Sequence, residues 1–407
     1  MDLYYYDGET SKKQAFPTTQ NTKYVQQFAN LTGGSSVFTI PPTNGIQDIV
    51  CEFVIPGLAG TTAQLNSLAL PRAWGYALIK QVSFRYGGSS QYFLTGDQLF
   101  QNALRAQTSR TSADDIATLG GNYASGLDLS GADQYANVVL RLPHNICSGV
   151  GKSHPLPTDL LTQQVQVTCE IYPLSSVFQV ASTGGGAAVI PSGLKSAQFA
   201  VQQVMFNNQG DSLARRVDMS VNAYAFPCEF VQQMQTIPLG PGQGGAGAAP
   251  TQVVLTGFRS GEVKAIHCWL TRTSDTNANP YNWRLPLAVQ MTYAGDVYAR
   301  YDSQSSPLWN LINGNKAPAW DNVVVTDGGA GSFTTASALS QWVELPFAQT
   351  LVDEDSHYIL AHGKPITNGI VNLQVSAPTQ QDDWVLNVSY IYNTTLLFSQ
   401  GTCDYVF

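Results

Sequence analysis

The run from Gln164 to Ile171 alternates strictly. Val165, Val167, Cys169 and Ile171 are apolar, and Gln164, Gln166, Thr168 and Glu170 are polar. A period of two puts the apolar set on one face of an extended chain, so this segment predicts a strand with one buried and one wetted face. Val217, Met219, Val221 and Ala223 alternate with Asp218, Ser220 and Asn222 in the same way, which predicts a second strand over 217–224. Similar runs predict strands at 47–55, 76–86, 136–142, 197–206, 252–258, 263–271, 285–293, 342–347, 368–375 and 384–398. Turn residues separate them, as in a sandwich. Long helices do not alternate with these strands, which argues against a doubly wound α/β fold. One short helix is predicted, capped by Asp97, with Leu99, Phe100, Ala103 and Leu104 on one face, running to about Gln107. The fold class is all-β, with antiparallel strands and short helices in loops.

Domain organisation follows from length and punctuation. The chain has 407 residues, enough for two domains with separate cores. Residues 1–29 are polar and irregular and predict an N-terminal arm that orders against a neighbour or stays disordered. The boundary is placed at Pro227, giving one domain over 30–227 and another over 228–407. Gly-rich loops interrupt the strands at Gly184–Gly186, Gly240–Gly247 and Gly328–Gly331.

Charge sharpens this picture. Asp, Glu, Lys and Arg make up 12% of the chain, about half the usual globular share, which suits a protein whose surface is covered by other subunits. The net charge is −8 and the densest basic clusters are only Lys12-Lys13 and Arg215-Arg216, so direct nucleic-acid binding is not expected. The six cysteines form no C-x-x-C pair. Cys169 and Cys268 sit in apolar alternating runs and read as buried thiols, which suits synthesis in the cytosol. The N-terminus carries no basic region followed by an apolar core, so no signal peptide is expected, and no apolar run is long enough to span a membrane.

Candidate chemistry is sparse. Gly240-x-Gly242-x-x-Gly245 matches a dinucleotide fingerprint, but Pro241 and the Gly/Ala run to Pro250 leave no helix start for the pyrophosphate. The histidines His144, His154, His267, His357 and His362 form no His-x-His pair. Asp353-Glu354-Asp355-Ser356-His357 is the densest polar cluster and reads as a solvated loop. No Gly-x-Ser-x-Gly supplies a nucleophile elbow. Neither catalysis, nor a metal, nor a cofactor is expected. Sequons occur at Asn30, Asn387 and Asn393, the last two inside a predicted strand.

Several ordered segments resemble the major capsid proteins of nucleocytoplasmic large DNA viruses and their virophage and polinton-like relatives. Gly75 to Gly88 resembles the family's strand ending in an "IGG"-type turn, with Gly96-Asp97-Gln98-Leu99 at its short helix. Pro155 to Leu160, leading into Val165-Gln166-Val167, resembles "LPL-IALQYHEV". Cys228 to Gln235 resembles "HEYLIEQVQ", which opens the second jelly roll. Phe258 with Val263 to Trp269 resembles "FNHPVKELIWV", and Asn393 to Gly401 resembles the closing strand. The chain departs from the family at Ala294-Gly295-Asp296-Val297, where the family has "HDRF", and after Leu311-Ile312-Asn313, where "QPYQHH" has no counterpart.

The resemblance implies two consecutive eight-stranded antiparallel jelly rolls. It implies a non-enzymatic shell subunit that forms a homotrimer, tiles an icosahedral virion with neighbouring capsomers, and meets minor capsid and penton proteins. Membrane contact is left open. Trp309 beside Leu308, and Tyr4, Tyr5 and Tyr6 in the arm, are candidate interface anchors, because buried aromatics dominate interface energetics. The alternative is a β-sandwich carbohydrate-binding or spike protein, which needs exposed aromatics on one face, with Trp283, Trp309 and Trp320 as candidates.

Overall fold

The computed structural model describes residues 4–5, 14–15, 19–58, 60–61, 64, 68–69, 73–87, 91–105, 136–142, 155–180, 189–206, 209–232, 235–239, 249–259, 261–273, 283–302, 342–347, 364–366, 370–377 and 384–407. The chain divides into two compact units. One holds Met1–Glu229 with Thr394–Val406, and the other holds Phe230–Asn393 with Phe407.

The first unit contains β1 (Thr19–Gln27), β2 (Gly34–Thr39), β3 (Gly45–Ile55), β4 (Ile79–Tyr86), β5 (Gln91–Thr95), β6 (Ala136–Leu142), β7 (Val165–Ile171) and β8 (Ser196–Phe206). They form two four-stranded sheets, ordered β1-β8-β3-β6 and β2-β7-β4-β5. The pairings are antiparallel. The alternation of β7 is realised: its odd-numbered side chains Val165 to Ile171 are buried and the even ones between them are half-exposed. Phe38 on β2 stacks on Phe199 of β8 with centroids 4.2 Å apart, and Phe28 packs edge-on against both Phe38 and Phe53. These rings join the two sheets, and each buried aromatic or aliphatic side chain contributes roughly 2 kcal/mol.

The second unit repeats the wiring. The strand that leads into it comes in two pieces, β9 (Tyr224–Val231), of which Tyr224–Glu229 belongs to the first unit, and β10 (Gln235–Pro238). Then follow β11 (Thr251–Leu255), β12 (Glu262–Arg272), β13 (Ala288–Tyr293), β14 (Asp296–Asp302), β15 (Val343–Pro346), β16 (Val371–Ser376) and β17 (Trp384–Ser399), whose part from Thr394 on lies in the first unit together with the last strand, β18 (Thr402–Val406). The sheets run β9-β17-β12-β15, with β10 also on β17, and β11-β16-β13-β14. Counting β9 and β10 as one strand, both units read 1-8-3-6 and 2-7-4-5. Trp269, Trp283 and Trp342 form the aromatic centre of this unit, with Trp269 and Trp283 centroids 5.2 Å apart.

Three elements differ from the sequence expectation. Residues 19–27 were expected in an arm, but they form β1, whose whole length pairs with β8 from Gln27↔Gln198 to Thr19↔Phe206. Residues 76–86 were expected as one strand, but Trp74–Leu78 is a short helix, α1, and only Ile79–Tyr86 is extended. Residues 217–224 were expected as a strand, but Gln209–Met219 is a helix, here α3, and only Tyr224 onward is extended. Ser212, Arg215 and Met219 are its buried positions, a helical spacing that the short alternation masked.

The predicted loop helix is present as α2 (Gly96–Arg105). Its cap is not Asp97. Thr95 and Gln98 form a reciprocal capping box, with the Thr95 N–H donating to Gln98 Oε1 at 3.0 Å and the Gln98 N–H to Thr95 Oγ1 at 3.3 Å. Gly96 is required between them, since any Cβ there would overlap the Tyr76 and Ile79 carbonyl oxygens.

The chain returns to the first unit at its end. β17 crosses from one unit to the other at Asn393/Thr394, and β18 folds back on it from Ser399↔Thr402 to Thr395↔Val406. The 228–407 domain expected from sequence therefore gives residues 394–406 to the first unit. Phe398 packs on Phe226, and Tyr405 lies 6.2 Å from Tyr92. These late residues complete a core that the early residues leave open.

Candidate functional site

A buried ionic cluster fixes α3 onto the first unit. The turn Thr158–Leu160 presents Asp159, which is 1% exposed. Arg215 Nη1 lies 2.9 Å from Asp159 Oδ2, and Ser212 Oγ donates to the same oxygen at 3.4 Å. Arg216 Nε donates to the Asp159 carbonyl at 2.6 Å. The Arg215 guanidinium also sits 5.1 Å from the Phe206 ring centroid. Burial pushes the Asp159 carboxyl up to about 6, although Arg215 and Arg216 pull it down. Desolvation outweighs the pairing, so the cluster specifies where the helix docks more than it stabilises the fold.

With one face anchored, α3 shows the other to solvent. Leu213, Val217 and Val221 are 65%, 62% and 83% exposed, and they recur at i, i+4 and i+8. The remaining exposed large apolar residues among those described, such as Val37, Val254 and Val297, lie on strands or loops and form no comparable helical row. Scattered apolar residues are ordinary, but a row is not.

The residues expected to carry contacts fare differently. Trp309, Leu308 and Tyr6 lie outside the described residues, as do Trp320 and the Asp353–His357 cluster. Tyr4 and Tyr5 form a two-residue strand paired with Gln14 and Ala15, and their side chains lie outside the description. The three Gly-rich loops also lie outside it. Trp283 is 1% exposed and belongs to the core, so it is no surface aromatic for a carbohydrate. The same holds for Trp74, Trp269, Trp342 and Trp384, so every described tryptophan is buried.

Other polar groups have structural partners. His267 is buried with Nε2 3.2 Å from Glu344 Oε2, directly across the β12–β15 pairing. Asn387, a sequon residue, is 4% exposed and donates to Thr271 Oγ1 at 2.9 Å. Cys51, Cys169, Cys228, Cys268 and Cys403 are buried free thiols, and Cys51 is hydrogen-bonded to Cys169 on the facing sheet. Among the described residues, no group of three His, Cys, Asp or Glu side chains is placed to hold a metal ion, and no helix is long and apolar enough to cross a membrane.

No family model and no curated protein matches the sequence. Solved structures do match over nearly the whole chain. The PBCV-1 virus capsid matches at a TM-score of 0.67 and 10% identity, covering 98% of this chain and 99% of that one. The fold is a double jelly roll. The Faustovirus major capsid protein matches at a TM-score of 0.57 and 10% identity, covering 97% of this chain and 93% of that one. The mavirus major capsid protein matches at 0.51 and 12%, covering 98% and 92%. At such identities the shared property is the fold alone, the double jelly roll. The row on α3 was missed from sequence because the same residues alternate in the window read as a strand.

Proposed function

We propose that this chain is the major capsid protein of an icosahedral double-stranded DNA virus. In this reading it is a structural subunit of the virion, made in the host cytoplasm, and its role is assembly rather than catalysis. Three copies form a capsomer, neighbouring capsomers tile the shell, and minor capsid and penton proteins complete it. The supporting observation is the repetition of one eight-stranded wiring twice in a single chain. Three such chains about one axis present six similar units, so a closed threefold oligomer fills sixfold positions in a shell. Low charge supports the reading further, because permanent interfaces are depleted in charged residues. Light scattering on the purified chain tests it. The expected mass is three times 43.9 kDa. A monomer at micromolar concentration would overturn the proposal.

A further inference from the structure

The docking of α3 leaves a surface that the fold itself does not use. Its inner positions, Ser212, Arg215 and Met219, are buried, and two arginines tie it to Asp159. Its outer row, Leu213, Val217 and Val221, is more exposed than half of each side chain's range. The row continues past the helix end because the Val221 and Asn222 N–H groups both donate to the Asp218 carbonyl, holding the turn. Single exposed apolar residues are ordinary on a monomer, whereas contiguous apolar surface rimmed by polar residues is the form that interaction sites take. Since the helix is pinned, the row is presented ready-formed, which lowers the ordering cost of binding.

The charges beside the row indicate what covers it. Val217 is flanked by exposed Arg216 on one side and exposed Asp218 on the other, about 100° away in each direction around the helix. When two copies pack antiparallel about a twofold axis, like flanks meet, Arg216 against Arg216 and Asp218 against Asp218. In a parallel arrangement about a common axis, the Arg216 flank of one copy meets the Asp218 flank of the next all the way round. Opposite charges beside an apolar seam select partners and orientation in this manner. The helix is therefore self-complementary in the parallel cyclic sense and self-repelling in the antiparallel one.

We propose that the outer face of α3, Leu213, Val217 and Val221 between Arg216 and Asp218, is a contact through which copies of this chain meet in parallel about a common axis. This rests on the capsomer reading and assigns the trimer one of its contacts. A stable interface buries roughly 800 Å² per partner, so the row is the centre of a larger contact.

The test uses the full chain. Leu213→Asp with Val217→Asp should shift the particle mass from trimer to monomer at micromolar concentration, a loss of at least tenfold in association. Val37→Asp with Val254→Asp, at strand positions of similar exposure, should stay trimeric. Leu213→Cys tests the geometry conservatively. The parallel arrangement places the two introduced thiols opposite each other, within the 4–7 Å Cα separation, approximately, that a disulfide spans. Diamide, a thiol oxidant, should then join chains in pairs on a non-reducing gel. In the antiparallel arrangement residue 213 would face 221, and this variant would not cross-link. A wild-type monomer would overturn the capsomer reading itself. A wild-type trimer whose Leu213→Asp/Val217→Asp variant stays trimeric, or whose Leu213→Cys variant does not cross-link, would overturn this assignment alone and give the row to a different protein.

Discussion

Thr162 donates twice to one carbonyl oxygen, that of Gly401. Its backbone N–H reaches it at 2.9 Å and its hydroxyl at 3.1 Å, across 239 residues of sequence. Gly401 holds φ +81 and Gln400 φ +50, the pair of positive values that a tight hairpin between β17 and β18 needs. The hairpin tip thus rests on the segment just before β7.

Gly401→Ala should therefore destabilise the first unit. The new Cβ would overlap the Thr162 side chain and would stand at a backbone angle L-residues avoid. A loss of about 1–3 kcal/mol is expected. Urea unfolding followed by circular dichroism measures it, with the Gly401→Ala/Thr162→Ala double variant as the comparison that removes the closest overlap but keeps the strain. An unchanged midpoint in Gly401→Ala would detach the hairpin from the stability of this unit.

The Asp159–Arg215 pair makes a pH-dependent prediction. Asp159 is raised on folding, from an ordinary value of 3.8 to about 6. Its contribution to stability is thus fully present below pH about 4 and is lost as pH rises through about 6. Arg215→Met removes the nearest compensating cation. The cost should be about 3–5 kcal/mol near pH 7.5, where the carboxylate would be left buried and charged. Near pH 4.5, where it is protonated, the cost should be clearly smaller. Equal losses at the two pH values would mean that Arg215 acts only by packing on Phe206.

Thiol chemistry gives a third check. Burial pushes the Cys51 thiol well up, and its hydrogen bond to Cys169 adds to this. Cys268 is raised to about 12 by burial. Thiolates are the reactive form, so the five described cysteines should label only on unfolding. Cys147 lies outside the described residues, and Cys147→Ser removes its signal. Labelling of that variant by a disulfide reagent should be slow at pH 8 in buffer and should reach five equivalents in denaturant. Fast native labelling would contradict the buried positions.

Trp309 is proposed as an anchor between subunits. Trp309→Ala should lower trimer yield and leave far-ultraviolet circular dichroism unchanged, since truncated interface aromatics commonly cost about 2 kcal/mol or more. Normal trimer formation at micromolar concentration would remove Trp309 from the interface.

Sequence alone determined what depends on neighbours along the chain. The burial of β7 is visible in its period of two, and β6 was placed at 136–142 because apolar runs between breakers are local features. Tertiary structure decided the rest. Thr19–Gln27 is too polar to announce a strand, and it is one because β8 offers a free row of backbone donors and acceptors that must be paired. The stretch 217–221 reads equally as alternation or as helix over so few residues, and the buried Asp159 pairing with Arg215 is what fixes the helix. Residues 394–406 carry no mark of belonging with the first 229. Only the folded chain puts Gly401 against Thr162 and Tyr405 near Tyr92, because long-range pairing is set by which surfaces remain uncovered once the local elements have formed.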